Sequence, residues 1–185
     1  MRLAVETLVF TVAFYTANME DINLALDGKA SQVDDYGTFT ASIAIDGNTN
    51  GNFYSHTGLK GLKAWWLLTL KSMALIREIK IYNRMNCCQH RIDGATVWIG
   101  DKLTGGNYEG AAKVGTVKYE EGEIYYIFSG ISKAGSSVEI QGAGTEELQL
   151  TEVQVYGEYV KNVPCPISLE DLDPGVMCSS LVEKI

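Results

Sequence analysis

Short apolar segments separated by polar turns recur along most of the chain, and this pattern predicts β-strands rather than helices. Residues 75–82 show it clearly, because Ile79 and Ile81 fall on one face while charged residues fall on the other. The last predicted strand changes parity at residues 151–152, which predicts a β-bulge there. The predicted strands include an entry strand within residues 23–36 and the segments 64–70, 75–82, 95–100, 125–128, 137–140 and 148–156.

This set of elements, with no convincing helical periodicity, predicts an all-β fold: a β-sandwich or jelly roll of about eight strands. The composition agrees, since the 185 residues include 19 glycines and only three prolines. With 46% hydrophobic residues, the chain can bury one sizeable core. We therefore expect one domain with short appendages.

The net charge of −8, from 15 basic and 23 acidic residues, predicts that the protein does not bind nucleic acid, which requires a clustered basic face. No segment after the N-terminus approaches the roughly 20 apolar residues of a membrane-spanning helix. We therefore predict no membrane insertion.

Residues 1–18 have the order of a secretory signal peptide: a charge, a short apolar segment and then small residues. Glu6 and Tyr15 depart from that pattern, and a first β-strand is the alternative. We predict a signal peptide and, with it, a secreted protein in which disulfides are expected.

Residues 159–185 differ in composition from the rest of the chain, with prolines and an acidic stretch, and are predicted to form an acidic C-terminal tail. Cys165 and Cys178 lie in this tail. They could pair with each other or with another chain, or remain idle thiols.

The adjacent residues Cys87 and Cys88 lie in a polar corner between two predicted strands. Consecutive Cα atoms are about 3.8 Å apart, closer than the about 4.4–6.8 Å usual for a disulfide, so a bridge would be strained. Strained features tend to lie at functional sites. The alternative is two half-buried thiols. A zinc site with His90 is rejected, because adjacent thiolates chelate one ion poorly and further ligands are lacking.

Two arginines, Arg84 and Arg91, flank this corner, and their guanidinium groups suit paired oxygen acceptors such as sugar hydroxyls. A neutral His56 beside them would complete a convergent set of donors and acceptors. A purely structural histidine is the alternative. No arrangement of nucleophile and base is recognisable, so we predict that the protein is not an enzyme.

The segment Ala-Ile-Asp-Gly-Asn at residues 44–48 leads into an asparagine- and glycine-rich loop. Such loops can supply the six to eight oxygen ligands that Ca²⁺ requires. The spacing of an EF-hand is not met, and a plain turn explains the residues equally well.

The chain resembles the F-type lectins, or fucolectins. The resemblance rests on this segment, the paired Trp65 and Trp66 and the adjacent cysteines, which occur in the same order as in that family. The resemblance covers residues 21–158. It implies a calcium-containing jelly-roll lectin that binds L-fucose.

The sugar motif of that family maps onto His56, Arg84, Asn86 and Arg91. Asn86 stands where the family has an aspartate, which pairs with and orients both arginines. Because asparagine can hydrogen-bond but cannot neutralise a charge, we expect weaker or altered binding.

The resemblance also implies that a disulfide between Cys87 and Cys88 packs on the sugar ring. The aromatic residues Phe53 and Tyr54 would receive its C6 methyl group. The segment between Tyr54 and His56 is shorter than in the family.

Calcium, in this comparison, would be bound by Asp46, Asn48 and Glu152. Ser55, Ile43 and Thr151 are further candidates, as hydroxyl or carbonyl donors. Ser55 and Thr151 also stand where family members have a pair of cysteines. A second family pair, near Gly115 and Phe128, is absent as well.

Taken together, the resemblance implies a secreted, extracellular, calcium-dependent lectin that recognises terminal L-fucose on fucosylated glycans in innate immunity. The alternative is a discoidin-like module with a degenerate sugar site that binds proteins or lipid surfaces. The sequence leaves the oligomeric state open, a homo-oligomer included.

Overall fold

A computed structural model of the chain describes residues 21–58, 63–144 and 146–160. The described part is built from nine strands and three short 3₁₀ turns, which confirms the all-β prediction. The strands are β1 Ile22–Asn23, β2 Lys29–Gln32, β3 Ser55–His56, β4 Trp65–Asn83, β5 Thr96–Gly100, β6 Ala112–Thr116, β7 Tyr125–Phe128, β8 Lys133–Gln141 and β9 Gln149–Tyr159. The 3₁₀ turns are Leu24–Asp27, Ala41–Ile45 and Gln89–Ile92.

Strand β4 organises the sandwich. Its first half pairs with β2 and β8, and its second half pairs with β7 and β9. It spans 19 residues and joins two segments that were predicted as separate strands. The register shifts between Ile76 and Glu78, so the buried face of β4 changes parity there. One strand therefore belongs to both layers.

The core lies between these layers. It contains the alternate residues of β4, which are fully buried on either side of the shift, together with inward residues of β5, β8 and β9. Trp66 is completely buried, and its indole N–H donates to the Ala41 carbonyl at 3.0 Å. Burying one large apolar side chain is worth roughly 1.5–3 kcal/mol.

The predicted bulge in the last strand is confirmed. Tyr82 pairs with Glu152 and Asn83 pairs with Leu150, so Thr151 is the extra residue of β9. Its buried hydroxyl donates to the Asn83 carbonyl at 2.9 Å. The bulge therefore joins β9 to the end of β4, directly before the predicted sugar motif.

The last described strand ends close to the predicted end of the domain. Tyr159 is the last residue of β9, so the strand runs one residue past the predicted domain end at residue 158. The predicted signal peptide, Cys165 and Cys178 lie outside the described residues. Within residues 21–58, 63–144 and 146–160, no helix is long and apolar enough to cross a membrane.

Candidate functional site

At one end of the sandwich, side chains from several loops line an open cleft of about 430 Å³. They come from the loop after β2, from β3, from the corner after β4 and from the residues that precede β9. The described lining residues are Tyr36, Phe39, Tyr54, His56, Arg84, Arg91 and Glu147. The cleft therefore unites four predicted sugar-binding residues: Tyr54, His56, Arg84 and Arg91.

Each guanidinium group in the cleft is held by a neighbour. Arg84 donates from Nε to Asn86 Oδ1 at 2.5 Å, and its Cζ lies 4.2 Å from the centre of the Tyr54 ring. Arg91 Nη1 lies 3.0 Å from Glu147 Oε2. Asn86 thus orients Arg84 without neutralising it, whereas a carboxylate from a different loop pairs with Arg91.

His56 forms part of the cleft wall and is only 8% exposed. Its Nδ1 lies 2.6 Å from the Thr57 carbonyl, which can only accept, so this nitrogen carries the proton. Nε2 then accepts from the Gln149 side-chain amide at 2.8 Å. Burial lowers the pKa of His56, and the imidazole is therefore neutral.

Aromatic rings cover another wall of the cleft. Tyr54 and Phe39 are stacked, with centroids 5.1 Å apart and planes 8° apart, and Tyr36 lies 4.8 Å from the His56 ring. The Gln32 side chain donates to the backbone carbonyls of Phe39 and His56, which fixes the loop after β2 against β3. The wall presents an apolar surface beside the charged groups, since the Arg84 guanidinium lies over the Tyr54 ring.

The corner after β4 is tightly held. Cys87 and Cys88 form a disulfide, with Cα atoms 3.8 Å apart, which confirms the bridged alternative. Cys88 adopts a left-handed backbone conformation with φ 61°. The Asn83 side chain donates to the Gln89 carbonyl, and the Met85 amide donates to the Gly51 carbonyl. These bonds fix the corner between β4 and the asparagine-rich loop.

Other predicted sugar-binding residues lie outside the lining set. Phe53 is 57% exposed, whereas its neighbour Tyr54 is buried in the wall. Asn86 and Cys87 are exposed, and Cys88 is half-buried beside the cleft. Of the predicted aromatic pair, only Tyr54 is placed to contact a ligand inside the cleft.

The predicted calcium ligands lie in a neighbouring region where the asparagine-rich loop meets β9. Glu152 is fully buried, and its Oε2 accepts from the Gly47 amide at 3.3 Å. Its other oxygen, Oε1, is buried without a hydrogen-bond partner. Burial, followed by the charge of Asp46, raises the pKa of Glu152 to about 8. A cation beside these two carboxylates would satisfy the unpaired oxygen.

The remaining candidate ligands have other contacts. The Ser55 hydroxyl donates to the Leu150 carbonyl at 3.3 Å, Thr151 holds the bulge, and Ile43 lies in the turn Ala41–Ile45. The Asn48 amide donates to Asp46 Oδ1 at 2.8 Å. Among the described residues, no three His, Cys, Asp or Glu side chains cluster to hold a metal. A site here would need carbonyl or amide oxygens, which calcium accepts.

Four residues at the cleft were not predicted: Tyr36, Phe39, Glu147 and Gln149. Gln149 reaches His56 because β3 pairs with β9, with His56 opposite Gln149. A two-residue strand leaves no periodic signal in the sequence. For Glu147, the sequence signal was the pair of adjacent glutamates, 146 and 147, just before the last strand.

The comparisons with known proteins agree with this arrangement. A family model of the F5/F8 type C group, described as a NedA-like, galactose-binding domain, matches residues 43–161. Fucolectin-4 of Anguilla japonica is 32% identical over 162 residues, which cover 83% of this chain and 89% of that protein. The chain belongs to the F-type lectin, or fucolectin, family.

Solved structures agree with this assignment. An f-lectin (fucolectin) from Morone saxatilis serum matches this F-type lectin with a TM-score of 0.67 and 31% identity over 74% of the chain. The chain spans about half of that protein, 49% of its length. A fucose binding module of Streptococcus pneumoniae matches with a TM-score of 0.62 over 75% of the chain and 96% of the module. At 23% identity, this second likeness concerns the fold alone.

Proposed function

We propose that this F-type lectin binds terminal L-fucose on glycans in the cleft that the arginine pair and the aromatic wall line. The observation that carries the proposal is the convergence of Arg84 and Arg91 with stacked rings in one open cleft of about 430 Å³. A pyranose offers hydroxyl oxygens on its edges and an apolar face. Charged donors and an apolar wall are the groups that recognise such a ligand.

In this proposal Arg84 and Arg91 donate to sugar oxygens, as the charge-assisted hydrogen bonds that contribute most to affinity. Tyr54 and Phe39 contact the apolar side, including the C6 methyl group. Neutral His56 contributes its ring to the wall of the cleft, while its Nε2 accepts from the Gln149 amide. The rigid disulfide at residues 87 and 88 fixes the spacing of the two arginines.

We also propose that Asp46 and Glu152 help to hold a calcium ion, with Asn48, Ser55, Ile43 and Thr151 as candidate oxygen donors. The support is the buried, unpartnered Oε1 of Glu152. A bound ion would neutralise the two carboxylates and fix the asparagine-rich loop to β9. Because that loop bonds to Met85, the ion would support the corner that carries Arg84.

The proposed location is extracellular, and the proposed role is the recognition of fucosylated glycans in innate defence. An adjacent-cysteine disulfide persists best in an oxidising compartment, which supports secretion. The proposed action is binding without catalysis.

The test is calorimetric titration with L-fucose, together with inhibition of binding to a fucosylated surface by free monosaccharides. Arg84→Ala should abolish binding. Arg77→Ala is the matched control, because Arg77 pairs with Asp21 and Glu158 outside the set of residues that line the cleft. Wild-type protein that binds no fucose, alone or on a glycan, would refute the proposal.

One observation favours the discoidin-like alternative. Phe53 and Tyr36 are each 57% exposed, as expected for loop tips that contact a protein or a lipid surface. Co-sedimentation with lipid vesicles that lack sugar distinguishes the two. Binding that is lost in Phe53→Ser but retained in Arg84→Ala would favour the alternative.

A further inference from the structure

Glu147 is the one acidic side chain among the described residues that line the cleft. Its side chain is only 7% exposed, whereas that of the preceding Glu146 is 59% exposed. Both carboxylates approach Arg91: Glu147 Oε2 at 3.0 Å from Nη1 and Glu146 Oε2 at 3.4 Å from Nε. The two glutamates therefore differ mainly in burial, which makes Glu146 a natural control for Glu147.

The carboxylate of Glu147 offsets part of the positive charge in the cleft. Arg84 and Arg91 bring two positive charges, His56 is neutral, and Asn86 adds none. Glu147 reduces the net formal charge of the lining residues from +2 to +1. Since a buried charge acts through a lower effective dielectric than an exposed one, its removal would change the cleft more than removal of Glu146.

We propose that Glu147 is a positioning residue that holds Arg91 toward the cleft and makes the site prefer neutral sugars over anionic ones. A guanidinium group has five N–H groups, so Arg91 can bind Glu147 and still donate to a sugar oxygen. The carboxylate fixes the direction of those donors. It also offsets the positive charge that would otherwise attract sulfated or carboxylated sugars. This inference rests on the proposed sugar-binding function.

The experiment compares wild type, Glu147→Gln and Glu146→Gln by calorimetric titration with two ligands, L-fucose and L-fucose 3-sulfate. Glu147→Gln should weaken fucose binding by about tenfold, because Arg91 loses a part-buried charged contact. It should strengthen binding of the sulfated sugar by about tenfold, since a repelling charge is removed. Glu146→Gln should change both affinities by less than about twofold, as expected for an exposed pair.

A charge-relocation variant provides a second test. In Asn86→Asp/Glu147→Gln the carboxylate is placed beside Arg84, so the net charge of the cleft is restored. The preference for the neutral sugar should return, while fucose affinity recovers only in part because Arg91 has lost its partner.

The outcomes separate the two proposals. If wild type binds fucose and Glu147→Gln binds both sugars as wild type does, the inference is overturned. Equal loss of both ligands would also overturn it, since that indicates general damage to the cleft. Wild-type protein that binds neither sugar refutes the proposed function itself.

Discussion

Replacing Glu152 by Gln removes an ionisable carboxyl group from the interior while keeping nearly the same shape. Glu152 is fully buried, and its pKa is raised from 4.5 to about 8 by burial and by Asp46. An acid with a raised pKa binds its proton more tightly in the folded than in the unfolded state. In the calcium-free protein the contribution of Glu152 to stability is therefore largest below pH 4.5 and is lost as the pH rises toward 8.

At pH 7 this loss amounts to about 3 kcal/mol, since each pKa unit corresponds to about 1.4 kcal/mol. Without calcium, Glu152→Gln should therefore be more stable than wild type. The expected rise in melting temperature is about 6–12 °C, at roughly 2–4 °C per kcal/mol for a domain of this size. With calcium at about one hundred times its Kd, wild type gains about 2.7 kcal/mol. Wild type and Glu152→Gln should then be nearly equal in stability.

The assay is thermal denaturation at pH 7, followed by circular dichroism, in EDTA and in calcium. The matched control is Glu139→Gln. Glu139 is also fully buried, and its Oε2 likewise lacks a hydrogen-bond partner. Its Oε1, however, accepts from the Gly106 amide and the Tyr108 hydroxyl, each at 2.7 Å. The control should show the same stability difference in both buffers. A difference for Glu152→Gln that calcium does not change would refute the ion-binding role of Glu152.

Three further predictions concern the disulfide, the cleft and the packing of β6 against β7. Alkylation under denaturing, non-reducing conditions, followed by intact-mass measurement, should label neither of the cysteines at 87 and 88; two labelled thiols there would contradict the disulfide. In titrations, Asn86→Asp should tighten fucose binding by about tenfold, because it adds a charged hydrogen bond to Arg84, and galactose should compete poorly; an unchanged affinity would count against this. Gly115→Ala should cost about 1–3 kcal/mol in urea denaturation, since its Cβ would lie 2.5 Å from an aromatic ring of β7, whereas Gly144→Ala, in open space, should be neutral.

Much of the fold could be predicted because its strands carry local signals. Alternation identified the second half of β4, and the parity change identified the bulge at Thr151. The continuity of β4 could not be predicted, since Lys71 and Ser72 are polar and exposed and interrupt the apolar pattern. Pairing with β8 and β9 on either side at residues 74–76 keeps this segment extended, and that is a tertiary effect.

The site residues that could be predicted are those that lie in a recognisable sequence motif. Arg84 and Arg91 flank a recognisable pair of cysteines, and His56 follows the asparagine-rich loop. Glu147 and Gln149 reach the cleft only through the pairing of β3 with β9. The expectation that the arginines lack a carboxylate was therefore incomplete, because the compensating charge comes from a distant part of the chain.

The sharing of β4 between both layers has a consequence for how the domain unfolds. A sandwich whose sheets had no common strand could lose one sheet while the other persisted. Here, separating either sheet breaks backbone hydrogen bonds along the same strand, so the two sheets form one cooperative unit. Amide protons of residues 74–81 are therefore expected to exchange with solvent only when the whole domain opens. Any ligand that stabilises the corner after Asn83 would slow that exchange in both sheets equally.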